Sequence, residues 1–155
     1  MKRFVILLLV LPLWIGCNWK ADPWAGNKEF THTGCAGSPA TKGLLGSDSE
    51  SLLTLKYEDG GLRVTRTNAE MNCSIKLNGM DCRVSVEGNV IHYWVTEADG
   101  PTADCICLVE KMSSVVTGLQ EGKEYIFDYS CGVGCSYPTF TFVFNKGFTQ
   151  ILDLD

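Results

Sequence analysis

The residues LLTLKYEDGGLRV at 52–64 indicate a β-fold, because apolar and polar side chains alternate on both sides of a turn signal. Leu53 and Leu55 share one face of the first arm, and Leu62 and Val64 continue the same period after the turn. An Asp-Gly pair between two such arms is typical of a β-hairpin. One face of this hairpin is therefore expected to be buried.

Short strands and turn signals recur about every ten residues from Leu52 to the end of the chain. A second hairpin is predicted from residues 82–86 and 90–96 around Glu87-Gly88-Asn89. The chain has 16 glycines and no long helical period. We therefore predict an all-β sandwich domain of about seven to nine short strands at residues 51–155.

Residues 17–50 are predicted to be a tether, because they are rich in Gly, Ala, Ser, Thr, Lys and Pro and show few periodic apolar positions. Trp19, Trp24 and Phe30 interrupt this composition. Aromatic rings of this kind either rest at a membrane interface or pack on the domain, and both possibilities stay open.

Residues 1–16 have the pattern of a secretory signal peptide. Met1-Lys2-Arg3 is a short basic start, and the apolar residues 4–15 that follow are too few to span a membrane as a helix. The next residues, Gly16-Cys17, resemble the end of a lipobox, in which the cysteine receives a thioether-linked diacylglycerol. Cys17 is thus the predicted lipidation site and the first mature residue, so that lipid alone would hold the protein at the membrane.

The lipobox match has one departure at Trp14, where an aliphatic residue is usual three places before the cysteine. The alternative is ordinary signal-peptide cleavage without lipid. That alternative requires small residues one and three places before the cut, and Trp14 fits it less well.

Charge and motifs exclude several function classes. The chain has a net charge of −5, and loss of the predicted leader removes Lys2 and Arg3 and leaves −7. An acidic chain is a poor nucleic-acid ligand. No phosphate loop, Gly-x-Ser-x-Gly or His-Glu-x-x-His motif occurs in the sequence. We therefore expect a protein that is not an enzyme and needs no cofactor.

The chain has eight cysteines, which is many for a small domain. An exported chain meets an oxidising environment, so structural disulfides are the expected use. If Cys17 carries lipid, seven remain, and an odd number leaves at least one thiol free, metal-bound or paired between molecules. The candidates for disulfides are Cys35, Cys73, Cys82, Cys105, Cys107, Cys131 and Cys135.

Cys105 and Cys107 lie on the same face of a predicted strand, about 6.6 Å apart along the backbone. A bond between them is disfavoured, so each is expected to reach a different neighbour such as Cys73 or Cys82. Cys35 would pin the tether to the domain if it were paired.

The residues 131–135 read CGVGC, and their two glycines allow a reversal that could join the two terminal sulfurs. A different possibility is that Cys105, Cys107, Cys131 and Cys135 converge as thiolate ligands of zinc or Cu(I), although their spacing differs from that of the usual zinc knuckles.

His92 and Trp94 are the candidate ligand-binding residues. Tyr93 and Trp94 must point to opposite faces of their strand, so one belongs to the core and the other to the surface. If Trp94 is the outer residue, it and His92 could form a platform for a sugar or a peptide. The alternative is that Trp94 is a core tryptophan of the sandwich.

The segment GLQEGKEYIF at residues 118–127 resembles the corner that joins two strands in fibronectin type III and other immunoglobulin-like sandwiches. The resemblance implies that Leu119 plugs the core and that Tyr125 begins the next strand. It implies an immunoglobulin-like architecture and says nothing about a ligand.

A wider set of short motifs is similar to a group of small, uncharacterised Bacteroides-type exported lipoproteins. The motifs are HTGC at 32–35, MNC at 71–73, GNVI at 88–91, DCIC at 104–107, and Gly118-Leu119 to Tyr125. Those proteins tend to carry Asn-Cys-Cys where this chain has Asn-Cys-Ser at 72–74. The resemblance implies an envelope location and a cysteine framework that includes Cys35, Cys73, Cys105 and Cys107.

These observations predict a lipid-anchored module of the bacterial cell envelope, with the outer membrane as the expected membrane. Its expected partners are the membrane, through Cys17, and a protein, glycan or envelope ligand. The alternative function is thiol-based metal binding by the Cys105/Cys107 and Cys131/Cys135 pairs.

Overall fold

The computed structural model describes residues 27–40, 50–132 and 137–154, and it confirms an all-β sandwich. The described residues form ten strands and the short helix α1, Ile75–Asn78. The strands are β1 Asn27–His32, β2 Cys35–Ala40, β3 Leu52–Glu58, β4 Gly61–Asn72, β5 Met80–Glu87, β6 Val90–Glu97, β7 Ile106–Val116, β8 Glu124–Cys131, β9 Phe140–Val143 and β10 Thr149–Asp153. The predicted leader, Cys17, Trp19, Trp24 and Cys135 lie outside the described residues.

The strands form two sheets. In the six-stranded sheet the order is β1-β7-β4-β3-β10, with β2 also paired to β7. The four-stranded sheet has the order β5-β6-β8-β9. Every pair is antiparallel except β6 and β8, which run parallel.

The hairpin at residues 52–64 forms as β3 and β4. Asp59 and Gly60 have φ angles of 48° and 82°, the left-handed conformation that a two-residue hairpin turn requires at both positions. Leu53, Leu55 and Leu62 are buried, with at most 1% of their surface exposed. Local alternation therefore sets which face of the six-stranded sheet is covered.

The core lies between the two sheets and is rich in aromatic rings. Phe127 on β8 packs against Tyr93, Tyr129 and Phe140, with ring centroids 5.5–6.5 Å apart. Such tilted and offset rings bury large apolar areas and pack favourably. These rings form the inner face of the four-stranded sheet, and the hydroxyl of Tyr93 joins that face to β7 of the other sheet through Ser114 at 2.7 Å.

The corner at residues 118–127 has the features that its resemblance implies. Leu119 packs against the core, and Tyr125 is the second residue of β8. The hydroxyl of Tyr125 accepts a hydrogen bond from the backbone N–H of Gln120 at 2.9 Å. Immunoglobulin-like sheets are antiparallel, whereas β6 and β8 are parallel. The immunoglobulin-like assignment therefore stays a prediction that rests on the corner.

The sheet begins earlier than the tether prediction places it. Residues 27–40 of the predicted tether form β1 and β2, which both pair with β7. Cys35 on β2 is bonded to Cys107 on β7, and Phe30 packs against the core. These contacts hold in the sheet a sequence that is too short and too polar to show clear strand periodicity by itself.

Candidate binding site on the four-stranded sheet

The cysteines of β7 and its neighbours form two disulfides. Cys35 is bonded to Cys107, and Cys73 is bonded to Cys105. Cys105 and Cys107 therefore reach different partners and are not thiolates in this structure. Within residues 27–40, 50–132 and 137–154, no group of three or more His, Cys, Asp or Glu side chains is arranged to hold a metal ion.

The thiols of Cys82 and Cys131 are buried in the core, not in a cleft. Cys131 donates a weak hydrogen bond to the sulfur of Met71 at 3.4 Å. Burial, reinforced by the neighbouring thiols, raises the pKa of Tyr93 and Tyr129 well above the usual value for tyrosine. Both phenols stay protonated at neutral pH. Because all four side chains are buried, this cluster is part of the packed interior.

The two aromatic residues in the middle of β6 point in opposite directions. Tyr93 is only 2% exposed and its hydroxyl bonds to the Ser114 hydroxyl at 2.7 Å inside the sandwich. Trp94 is 39% exposed on the outer face. The sequence left open which residue was the outer one, and the structure assigns that place to Trp94.

His92 also lies on the outer face of β6. The strand register puts Ser85 of β5 on one side of His92 and Asp128 of β8 on the other. The Nδ1 atom of His92 lies 2.8 Å from an Asp128 carboxylate oxygen. Because a carboxylate only accepts, Nδ1–H is the donor, and the ring orientation leaves Nε2 for another partner.

Trp94 is flanked by two very different side chains. The register places Arg83 of β5 on one side and Ser130 of β8 on the other. The guanidinium carbon of Arg83 lies 5.9 Å from the centroid of the Trp94 ring, and its Nε donates to Asp81 at 2.7 Å. That hydrogen bond raises the pKa of Arg83, so a fixed cation packs on one side of the indole.

These side chains surround a depression of about 340 Å³. It lies beside the Trp94 ring because the neighbouring serines are too short to fill the space. Six of the seven described residues that line it share the outer face of the sheet, and they are Ser85, Glu87, His92, Trp94, Asp128 and Ser130. The seventh is Tyr93, whose side chain is buried in the core. An aromatic surface with several convergent polar groups is the usual composition of a small-ligand site.

A second depression, of about 400 Å³, lies at the turn between β3 and β4. Glu29, Glu58 and Asp59 surround Arg63 there, and the lining contains no aromatic side chain. The Nε of Arg63 donates to Glu58 at 2.7 Å, and this hydrogen bond lowers the pKa of Glu58. Among the described residues of this lining, the only cation is therefore already paired, and Val115 is the only large apolar side chain, so a ligand would find no flat ring surface there.

The sequence identified His92 and Trp94 but missed Asp128, Ser130, Ser85 and Arg83. Arg83 and Ser85 could have been found, since they alternate with buried Val84 on the arm that pairs with β6. Asp128 and Ser130 could not be found in this way. Their place depends on the parallel pairing of β6 with β8, which no local pattern specifies.

Within the described residues, no helix is long and apolar enough to cross a membrane. No protein-family model, curated protein or solved structure matches the chain.

Proposed function

We propose that the chain is a lipid-anchored binding module of the bacterial cell envelope, which binds its ligand on the outer face of the four-stranded sheet. The observation that carries the proposal is the depression beside Trp94, where an exposed indole meets the His92–Asp128 pair. The proposed role is binding and not catalysis. The immunoglobulin-like architecture is part of the same proposal, and the corner at Tyr125 supports it.

The two disulfides indicate a location outside the cytoplasm, because the reducing conditions of the cytoplasm keep thiols reduced. Lipidation of Cys17 and attachment to the outer membrane are proposals that rest on the leader and on the similarity to Bacteroides-type lipoproteins. A metal role is not favoured, because Cys105 and Cys107 are both held in disulfides.

The anchor is tested by metabolic labelling with an alkyne analogue of palmitate in cells that express the full chain. The wild type should incorporate the label and sediment with membranes, whereas Cys17→Ala should do neither. Asn18→Ala is the matched control and should behave as the wild type. Retention of the label by Cys17→Ala would contradict the anchor.

The binding face is tested by photo-cross-linking in the same cells. A benzophenone amino acid replaces Glu87, which lines the depression, or Glu70, which is exposed on the outer face of the six-stranded sheet. Benzophenone inserts into C–H bonds of protein and glycan alike. The proposal predicts a discrete adduct from position 87 and none from position 70, and equal or absent adducts at both positions would overturn it.

A further inference from the structure

The chemistry of the depression beside Trp94 identifies a class of ligand. Resting on the proposed function, we propose that this site binds a neutral saccharide, with one pyranose ring stacked on Trp94 and its hydroxyls bonded to Asp128 and Ser130.

The ring of Trp94 offers a flat apolar surface on one side only. Arg83 packs on one side of the indole, whereas its other neighbour across the sheet is the small residue Ser130. A pyranose has a similar asymmetry, because its C–H groups form an apolar face while its hydroxyls project around the edge. A flat aromatic surface bordered by polar groups is complementary to that arrangement.

The polar groups around Trp94 suit hydroxyl ligands. Each sugar hydroxyl both donates and accepts, and the depression offers both functions. The carboxylate of Asp128 accepts hydrogen bonds, and the hydroxyl of Ser130 donates or accepts. Because Nδ1 of His92 is bonded to Asp128, Nε2 is the ring nitrogen that would bond a sugar hydroxyl.

The charge around the depression favours a neutral sugar over an acidic one. Glu87 and Asp128 contribute two carboxylates to the lining. The guanidinium of Arg83, which packs on Trp94, is already engaged by Asp81 at 2.7 Å. An anionic saccharide would therefore meet like charges without an uncommitted basic partner in the lining, and such juxtapositions oppose binding.

The position of β6 disfavours a peptide that would add to the sheet as a strand beside Trp94. A peptide that adds to a sheet needs a strand edge with unpaired backbone groups. β6 is paired to β5 on one side and to β8 on the other, so its backbone groups are committed. At about 340 Å³ the depression is also near the lower end of the usual range for ligand sites, roughly 300–1,000 Å³, which suits one or two sugar rings.

The proposal is tested with the full chain in detergent and three tetrasaccharides. Cellotetraose and maltotetraose are the neutral probes, and tetragalacturonic acid is an acidic probe with the same number of rings. Saturation-transfer NMR reports contact of sugar C–H groups with the protein, and calorimetry gives affinity. At least one neutral probe should bind, and the acidic probe should bind at least about tenfold more weakly.

Trp94→Ala should weaken the binding of the neutral probe at least about tenfold, because it removes the stacking surface. Trp94→Phe should restore part of the affinity. Leu77→Ala is the matched control, because Leu77 is an exposed apolar side chain in α1 that does not line the depression. This variant should bind the probe as the wild type does. Binding that survives Trp94→Ala, or equal binding of the acidic probe, would overturn the proposal.

The failure of this proposal can be told apart from the failure of the proposed function. If neither neutral probe binds but benzophenone at position 87 still forms its adduct in cells, the ligand class is wrong and the binding face stands. If benzophenone at position 87 forms no specific adduct, the binding face itself is wrong.

Discussion

The two faces of β6 carry side chains of different chemistry. The inner face presents Ile91, Tyr93 and Val95, each at most 2% exposed and packed in the core. The outer face presents His92 and Trp94, which have register neighbours with charged and hydroxyl side chains. The inner face therefore contributes mainly to the stability of the fold. The outer face has aromatic and polar side chains that lie outside the core, and these are the groups that we propose to bind a ligand.

The largest predicted effect breaks the inner face. Tyr93→Ala should lower the free energy of unfolding by about 3–5 kcal/mol, because it removes a buried ring and strands its hydrogen-bond partner. Trp94→Ala, one residue away, should lower it by only about 1–2 kcal/mol, since that ring is partly exposed and loses mainly its contact with Arg83. Urea unfolding followed by circular dichroism measures both, and equal losses would contradict the division between the faces.

The second prediction concerns the disulfide that joins β2 to β7. Replacing both Cys35 and Cys107 with alanine should lower the free energy of unfolding by about 2–4 kcal/mol, since this bond joins residues 72 apart in sequence. Hydrogen exchange of residues 27–40 should also accelerate. The matched control replaces Cys73 and Cys105, which are 32 apart, and should cost less. An unchanged midpoint for the first variant would refute the role of this bond.

The third prediction concerns Arg66, a buried charged residue on β4. Arg66 is 4% exposed, its Nη2 donates to the Ser51 hydroxyl, and it lies over the ring of Tyr137. Its Nε and Nη1 have no hydrogen-bond partner among the residues that the structure describes. Arg66→Met should therefore raise the free energy of unfolding by about 1–2 kcal/mol.

The matched control for Arg66 is Arg63, which is half-exposed and paired with Glu58. Arg63→Met should lower stability by about 1 kcal/mol at most, because exposed ion pairs contribute little. A destabilised Arg66→Met variant would show that the guanidinium stabilises the interior.

The smallest predicted effect concerns the corner before β8. Tyr125→Phe removes one hydroxyl and should lower the free energy of unfolding by about 1 kcal/mol. Gln120→Ala keeps the backbone N–H that donates to this hydroxyl, so it should have almost no effect. If both variants unfold as the wild type does, the corner bond has no role in stability.

The sequence predicted the parts of the fold that depend on neighbouring residues. Alternation located the hairpin of β3 and β4, and the glycine-rich corner located the start of β8. It did not predict Arg66 at an inward position, since a charged residue there interrupts the apolar period. It also could not predict that β1 and β2 join the sheet, because pairing with β7 and the bond to Cys107 hold them there.

The site follows the same division. Trp94 and His92 stand out locally, as rare residue types on one face of one strand. Asp128 lies 36 residues beyond His92 and reaches it only through the parallel pairing of β6 with β8. Two of the six outward-facing lining residues, Asp128 and Ser130, therefore depend on long-range strand order, which one sequence does not specify.

Hydroxyl-radical labelling of Trp94 tests whether a ligand covers the outer face of the four-stranded sheet in the envelope. The label is read by mass spectrometry in intact cells and in the purified full chain, with Leu77 as the internal reference because it is 85% exposed. If the outer face of the four-stranded sheet binds a ligand in the envelope, labelling of Trp94 relative to Leu77 should fall severalfold in cells. Equal relative labelling in both samples would contradict the assignment of this face as the binding surface.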